Sequence, residues 1–269
     1  MSAQIVPGAD RRLRNRISLK TTVSNSLTMA YRTLLIIRRT PQQLFDVTIQ
    51  PILFTLMFTF LFGGAISGSV TGYLPIIIPG ILAQTAITAS MATGVQLRED
   101  MDKGVFYRFK SMPIARIAPL TGPLVADMVR YSIATALTFA MGYALGFRWN
   151  TPAAALLAGS LAVFAAWCLS WVFALLGVVM KTAQAVQGIS AAVIFPLSFL
   201  SGAFVPTKTL PWWLQAFVNI NPLTYVVSAV RELLTQNTVG TDFWLSLVGS
   251  TALALIFAPI TLRAYMRKA

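Results

Sequence analysis

The 269-residue chain is 56% hydrophobic and only 11% charged, and it carries a formal net charge of +13 with no histidine. Because water-soluble domains usually contain about 25% charged residues, this composition excludes a soluble protein and indicates an integral membrane protein. One cysteine and no histidine exclude an internal disulfide and the usual multi-cysteine or histidine metal sites.

The N-terminal region is basic and is followed by an amphipathic segment. Residues 1–24 have little apolar periodicity and predict a cytoplasmic basic tail ahead of one transmembrane domain, residues 25–269. Between Ser26 and Pro41, apolar residues recur at helical spacing while arginines occupy other angles. This predicts an amphipathic helix lying on the membrane surface. The alternative is a cytoplasmic extension of the first span, with Pro41 as a kink.

Six apolar stretches approach the roughly 20 residues that a helix needs to cross about 30 Å of hydrocarbon. They lie near 44–66, 73–95, 120–146, 153–179, 187–204 and 243–262. The fifth contains Pro196, and Pro206 and Pro211 follow, so we expect the chain to break there. Broken backbone at membrane depth is tolerated only inside protein or beside a wet cavity. Trp212 and Trp213 then lie where an interfacial aromatic belt is expected.

The distribution of Lys and Arg predicts the orientation. Cytoplasmic loops of membrane proteins collect these residues. We therefore predict six spans with both termini in the cytoplasm. In this arrangement only Arg148, Lys208 and Arg231 of the 21 Lys and Arg residues lie on the outer side, and Arg130 lies within a span. Since the cations cluster beside spans and form no basic face with interleaved aromatics, they predict contact with anionic lipid headgroups and not with nucleic acid.

No motif for catalysis is present. The chain has no G-x-x-x-x-G-K-[ST] nucleotide loop, no H-E-x-x-H and no G-x-S-x-G. We therefore predict no catalytic centre, no cofactor and no metal in this chain.

Charged residues at membrane depth are functional candidates because they are costly to bury. They are Asp46 near the start of the first span, and Asp127 and Arg130 near the start of the third. Asp127 and Arg130 are three residues apart, so they can pair on one helical face. A structural ion pair and a proton relay both remain possible, and a relay would need acids deeper in the bilayer.

The mild polar residues inside the spans allow two interpretations. Gln84, Thr88, Met91 and Ser198 could line an adaptable, mostly apolar cavity for amphipathic molecules. Small hydroxyl residues also hold membrane helices together, which requires no ligand.

The charged loop between the second and third spans, residues 96–123, contains more large apolar side chains than a solvated loop needs. A short helix with aromatics available to a partner's groove would explain them. Anchoring of the loop at the level of the headgroups is the alternative.

Two stretches resemble the ABC-2 type permease family and, within it, the daunorubicin-resistance permease group. They are GVFYRFKSMPIARIAPLTGPLVADMVR at 104–130 and FLSGAFVPTKTLPWWLQAFVNINPLTYVVSAVR at 199–231. The resemblance implies the fold of a type V ABC exporter. In that fold six transmembrane helices are combined with an N-terminal amphipathic helix, a cytoplasmic coupling helix and re-entrant extracellular helices before the last span.

The resemblance also implies roles for particular residues. The coupling helix would dock into an ATPase subunit through Glu99, Asp100, Gly104, Phe106, Arg108 and Pro113, although the family usually has a second glutamate where this chain has Asp100. The translocation pathway and its gate would include Ser198, Phe199, Phe204, Trp212 and Trp213. Two permeases and two ATPases would form the exporter, with ATP and Mg²⁺ on the ATPase.

The leading hypothesis is therefore a permease subunit in a bacterial cytoplasmic membrane that exports hydrophobic or amphipathic compounds, such as antibiotics or lipid-like molecules. A self-contained secondary transporter or channel is the alternative, and a non-transporting membrane scaffold is a third possibility.

Overall fold

The computed structural model describes residues 19–104, 115, 117–204 and 211–268, apart from the side chains at 19, 41–44, 46 and 47. This part of the chain contains helices and no strand, as the all-α prediction requires. The helices are α1 (Leu19–Arg39), α2 (Pro41–Ser67), α3 (Val70–Asp102), α4 (Ala118–Ala144), α5 (Pro152–Val179), α6 (Ala183–Phe199), α7 (Trp212–Ile220), α8 (Pro222–Gln236) and α9 (Thr241–Lys268).

In the part of the chain that the structure describes, five helical stretches are long and apolar enough to cross a membrane. They are Thr48–Ser67 within α2, and the whole of α3, α4, α5 and α9. They coincide with five of the predicted spans. The remaining predicted span, 187–204, corresponds to α6, which is apolar but has 17 residues. At 1.5 Å per residue α6 is about 25 Å long, against about 30 Å of hydrocarbon, so a sixth full crossing stays a prediction.

Pro41 is a helix boundary and not a kink. Thr40 has extended backbone dihedrals, φ −109° and ψ 101°, and Pro41 lies in the first turn of α2, where its missing N–H costs nothing. α1 begins at Leu19, earlier than the predicted Ser26. Its buried residues Ala30 and Ile37 occupy one face, and the structure thus forms an amphipathic helix ahead of the first span.

The expected break at Pro196 is wrong, because α6 continues through this residue to Phe199. Proline removes one N–H and crowds the carbonyl four residues before it, and membrane helices tolerate this where neighbouring groups compensate. The helix ends instead where the Leu200 N–H bonds back to the Pro196 carbonyl, at 3.0 Å. Gly202 then turns the chain with φ +69°, a left-handed conformation that favours glycine.

α3 and α5 form the centre of the bundle, and their glycines allow the two backbones to touch. A Cβ atom at Gly94 would lie 2.3 Å from the Phe173 carbonyl oxygen, and one at Gly177 would lie 2.4 Å from the Gly94 carbonyl oxygen. Small residues let membrane helices approach this closely, since van der Waals packing is a main force that joins them in lipid. In the most apolar stretch of α3, 67% of the residues are buried.

The two ends of the bundle differ in charge. At one end, which we call the basic end, α3, α5 and α9 finish and α4 and α6 begin. Its cations are Arg98, Lys103, Lys181, Arg263, Arg267 and Lys268. α1 packs here against the start of α4, with the Ser26 and Thr121 hydroxyls 2.8 Å apart. The opposite end, which we call the far end, carries α7, α8 and the connections around Gly68 and Gly146.

Candidate functional site

A half-buried face of α3 carries three of the predicted pathway residues. Gln84, Thr88 and Met91 follow one another at helical spacing, and the Gln84 amide donates to the Thr88 hydroxyl at 3.3 Å. Thr93 lies nine residues beyond Gln84, so it points to the opposite side of α3, where it contacts α4. The central helix of the bundle is therefore left partly uncovered along one mixed polar and apolar stripe.

We infer that this stripe is the floor of a groove between α2 and α6. Both helices pack on α3, but they make at most marginal contact with each other. Gly80, one turn from Gln84 towards the far end, meets the backbone of Ala203, where a Cβ atom would lie 2.0 Å from the Ala203 carbonyl oxygen. The groove, which we call the α2–α6 groove, therefore ends at the segment after α6.

Aromatic rings close the far end of the α2–α6 groove. Phe204 is buried and stacks on Phe58 of α2, with ring centroids 4.6 Å apart. Phe199, at the end of α6, lies 5.3 Å from Phe204 and is half exposed. Ser198 is buried, and its hydroxyl has no hydrogen-bond partner among the described residues. The structure thus brings the predicted residues Ser198, Phe199 and Phe204 together beside the groove.

The five residues from Leu200 to Phe204, which we call the 200–204 turn, are held by side chains distant in sequence. The buried Tyr73 hydroxyl of α3 donates to the Phe204 carbonyl at 2.8 Å. Arg231 of α8 donates to the Gly202 carbonyl at 2.9 Å and to the Ile76 carbonyl at 3.3 Å. The Asn221 amide donates to the Leu197 and Leu200 carbonyls. The carbonyls that the break frees are therefore bonded inside the protein, as membrane depth requires.

Arg231 and Glu232 do not pair with each other, although sequence proximity allows it. Burial lowers the pKa of the Arg231 guanidinium, because its charged form loses hydration. Burial raises the pKa of the Glu232 carboxyl, and the nearby Asp242 carboxylate raises it further. The two side chains have different neighbours. Arg231 bonds the 200–204 turn, and a Glu232 carboxylate oxygen lies against Gly240.

Trp212 and Trp213 open α7, and both are strongly exposed, at 83% and 59%. Val218 is the buried residue of this nine-residue helix. Exposed apolar side chains of this kind are typical of a helix that lies against lipid or another protein.

The charged pair of the third predicted span lies inside the bundle. Asp127 is 1% exposed and accepts from Arg130 at 2.8 Å. Its second oxygen accepts from the Thr93 hydroxyl at 2.5 Å, and this hydroxyl lies 3.1 Å from that of Tyr131. The network joins α3 to α4. Asp46 lies in α2, and its side chain is outside the described part.

The predicted coupling residues lie at the basic end as far as the structure describes them. Glu99 and Asp100 are in the last turn of α3, where Lys103 pairs with Glu99 at 3.3 Å. Gly104 follows with φ +65°, so the chain turns sharply away from α3. Phe106, Arg108 and Pro113 lie outside the described residues.

Two cations at the basic end were missed by the sequence reasoning. Arg98 donates to the Met180 carbonyl at 3.0 Å, and Lys268 donates to the Val178 carbonyl at 2.6 Å. Both donate to carbonyls at the end of α5 that have no partner within the helix, and cations are favoured at this end. The positions of Lys and Arg at helix ends were a usable signal, but their partners are about 80 to 90 residues away in the chain.

Comparison with known proteins gives one family and several relatives. A family described as ABC-2 type transporter matches residues 25–235. The daunorubicin resistance ABC transporter permease protein DrrB1 of Streptomyces coeruleorubidus is 39% identical over 249 residues, which cover 92% of this chain and 88% of that protein.

Two mycobacterial proteins match more weakly. The doxorubicin resistance ABC transporter permease protein DrrB of Mycobacterium tuberculosis is 29% identical over 163 residues, 60% of this chain and 56% of its own length. The probable doxorubicin resistance ABC transporter permease protein DrrC of the same organism is 25% identical over 156 residues, 58% of this chain and 56% of its own length.

Proposed function

This chain belongs to the ABC-2 type transporter family and is a multi-pass permease, and we propose that it exports hydrophobic or amphipathic compounds across the bacterial cytoplasmic membrane. In this proposal the energy comes from two copies of a separate ATPase subunit, which bind the ATP and Mg²⁺. Two copies of the permease form the pathway between them.

The observation that carries the proposal is the α2–α6 groove. Gln84, Thr88 and Met91 leave the central helix of the bundle partly uncovered, and the 200–204 turn closes the groove at the far end. A polar stripe facing lipid is unfavourable, so a second copy that places its own groove opposite would enclose the stripe in a shared cavity. Methionine and small polar groups allow such a cavity to accept varied shapes.

The basic end supports docking of the ATPase from the cytoplasm. α3 has 33 residues and is about 50 Å long, so it extends well beyond about 30 Å of hydrocarbon. Its last turn presents Glu99 and Asp100 next to the segment that contains Phe106, Arg108 and Pro113. The cations of this end satisfy the positive-inside rule when both termini are cytoplasmic.

The cargo class follows from the relatives and from the groove together. Three relatives are named for resistance to daunorubicin or doxorubicin. The groove of this chain is closed by phenyl rings and has one polar stripe, which suits a cargo with an apolar body and a few polar groups.

Blocking the groove tests the proposal. We expect Met91→Trp to abolish drug efflux from cells that express this permease with its ATPase, because an indole would fill the floor of the groove. The matched control is Val248→Trp, which adds the same side chain to an exposed position on α9. Equal loss of efflux in both variants, at equal amounts of folded protein in the membrane, would contradict a pathway through the α2–α6 groove.

A secondary transporter or channel is the second candidate, and the buried Asp127 is the observation in its favour. The ion pair with Arg130 opposes it, since both groups are buried and each serves as the counter-ion of the other. This candidate predicts drug movement by the permease alone, driven by a proton gradient.

A further inference from the structure

The 200–204 turn is the place where the α2–α6 groove is closed, and two of its carbonyls accept from side chains of α3, the floor of the groove, and of α8. Tyr73 in the first turn of α3 holds the Phe204 carbonyl, and Arg231 of α8 holds the Gly202 carbonyl. The Tyr73 ring is fully buried, so no water replaces its bond when the bond breaks. We propose that Tyr73 and Arg231 form a latch that keeps the 200–204 turn closed and that opens during each transport cycle.

The first argument concerns α3. The helix that carries Tyr73 at the far end also carries Glu99 and Asp100 at the basic end. Pro75 and Pro79 follow Tyr73 closely, and each removes one backbone hydrogen bond from the first turns of α3. When the basic end of α3 moves, the same helix can therefore move Tyr73 and the 200–204 turn that Tyr73 holds.

The second argument concerns the charge of Arg231. No Asp or Glu of the described chain pairs with its guanidinium, which instead shares two backbone carbonyls from separate elements, Gly202 and Ile76. A buried cation that depends on carbonyls is stable only while these lie within bonding distance. When the turn moves, the bonds from Arg231 to these carbonyls are therefore either formed or broken. A two-state latch requires this behaviour.

The third argument concerns close packing at the same point. Gly80 of α3 leaves room for the Ala203 backbone, and Phe204 stacks on Phe58. The turn is thus fixed by shape as well as by hydrogen bonds, and it closes against α2 and α3 together. Tyr73 and Arg231 are positioning residues in this account, because they act on cargo only through the turn.

The experiment measures exposure of the turn directly. Ser201 is buried at 2% and lies inside the turn, while the single native cysteine, Cys168, is removed by Cys168→Ala. Ser201→Cys then reports opening through its rate of reaction with a maleimide in lipid nanodiscs, where both faces are accessible. We expect Tyr73→Phe to raise this rate about tenfold, since loss of one buried hydrogen bond corresponds to about a factor of ten in an equilibrium constant.

Tyr225→Phe is the matched control, because its hydroxyl bonds the Asn219 carbonyl away from the turn. Arg231→Met is expected to raise the rate at least as much as Tyr73→Phe, and Arg231→Lys to restore it in part, since an ammonium can hold one carbonyl. If Arg231→Met does not fold, as judged by gel filtration, the labelling rates of the Tyr73→Phe and Arg231→Lys variants still test the latch. Equal rates in Tyr73→Phe, Tyr225→Phe and the unmodified reporter would overturn the latch.

A second arm addresses the transport cycle, and only this arm rests on the proposed exporter function. In the complex with the ATPase, ATP is expected to accelerate labelling of Cys at position 201 with Tyr73 present and to add little in Tyr73→Phe. Faster labelling of Tyr73→Phe in the first arm without any response to ATP in the second would keep the hydrogen-bonded closure of the turn but contradict its opening in an ATP-driven cycle. The two failures are therefore distinguishable.

Discussion

At the scale of single residues, the pair formed by Asp127 and Arg130 shows how a charge is kept inside a membrane protein. The carboxylate accepts from the guanidinium and from the Thr93 hydroxyl, so both of its oxygens are bonded. The desolvation of each ion is costly, and mutual attraction with hydrogen bonds offsets it only while both partners are present. Through the bond from Thr93 the pair fixes α3 against α4.

Removing one member of this pair is predicted to cost more than removing both. Asp127→Asn leaves Arg130 buried without a counter-ion, and we expect about 3–5 kcal/mol of destabilisation. The double variant Asp127→Asn with Arg130→Met leaves no buried charge and should recover much of that loss. Thermal unfolding of the purified proteins measures both. A double variant that is less stable than Asp127→Asn would contradict this account.

Gly94 is predicted to tolerate no side chain. Its Cβ atom would overlap the Phe173 carbonyl, so Gly94→Ala should push α3 and α5 apart and cost about 1–3 kcal/mol or more. Gly188→Ala is the control, because nothing lies within 4 Å of a Cβ atom there, and alanine in a helix should stabilise by about 0.5–1 kcal/mol. Opposite shifts of the melting temperature are expected, and a shift of the same sign in both variants would contradict the close crossing.

At the scale of elements, apolar length predicts helices well and their partners poorly. Five of the predicted spans agree with a helix start or end to within a few residues, because hydrocarbon thickness sets the minimum length of an apolar stretch that can cross. The end of α6 was misplaced at Pro196 because a proline costs less in a packed membrane helix than in water. The Tyr73 and Arg231 bonds to the 200–204 turn were not predictable, since they join residues far apart in the chain.

The candidate site was predicted in part. Gln84, Thr88 and Met91 share a helical face by spacing alone, and the structure leaves that face half-buried. Phe204 stacks on Phe58 and closes the groove. This contact depends on how α2 meets the segment after α6, and no local sequence pattern predicts that packing. The assignment of these residues to transport stays a prediction.

The end of α5 is predicted to depend on Lys268. Its ammonium bonds the Val178 and Val179 carbonyls, so Lys268→Met should weaken the last turn of α5 by about 0.3–1 kcal/mol. Hydrogen exchange of the peptide around residues 174–183 should become faster. Arg267→Met removes a neighbouring exposed cation and is the control. Unchanged exchange in Lys268→Met would show that the carbonyls need no cation.

At the scale of the whole molecule, the charge difference between the two ends predicts how the permease lies in the membrane. With Cys168→Ala as background, Lys181→Cys marks the basic end and Thr238→Cys marks the far end, and both positions are exposed. An impermeant maleimide should label Thr238→Cys on intact cells and Lys181→Cys only after permeabilisation. The reverse pattern would place the basic end outside.

The most direct test of the account is drug uptake into proteoliposomes with and without the ATPase subunit. The permease has no nucleotide loop of its own, and its groove is closed at the far end by a turn linked through α3 to the basic end. We therefore predict ATP-dependent uptake into vesicles that contain both subunits with the basic end outward, and no uptake by the permease alone. Uptake by the permease alone, driven by a proton gradient and unaffected by ATP, would contradict the account.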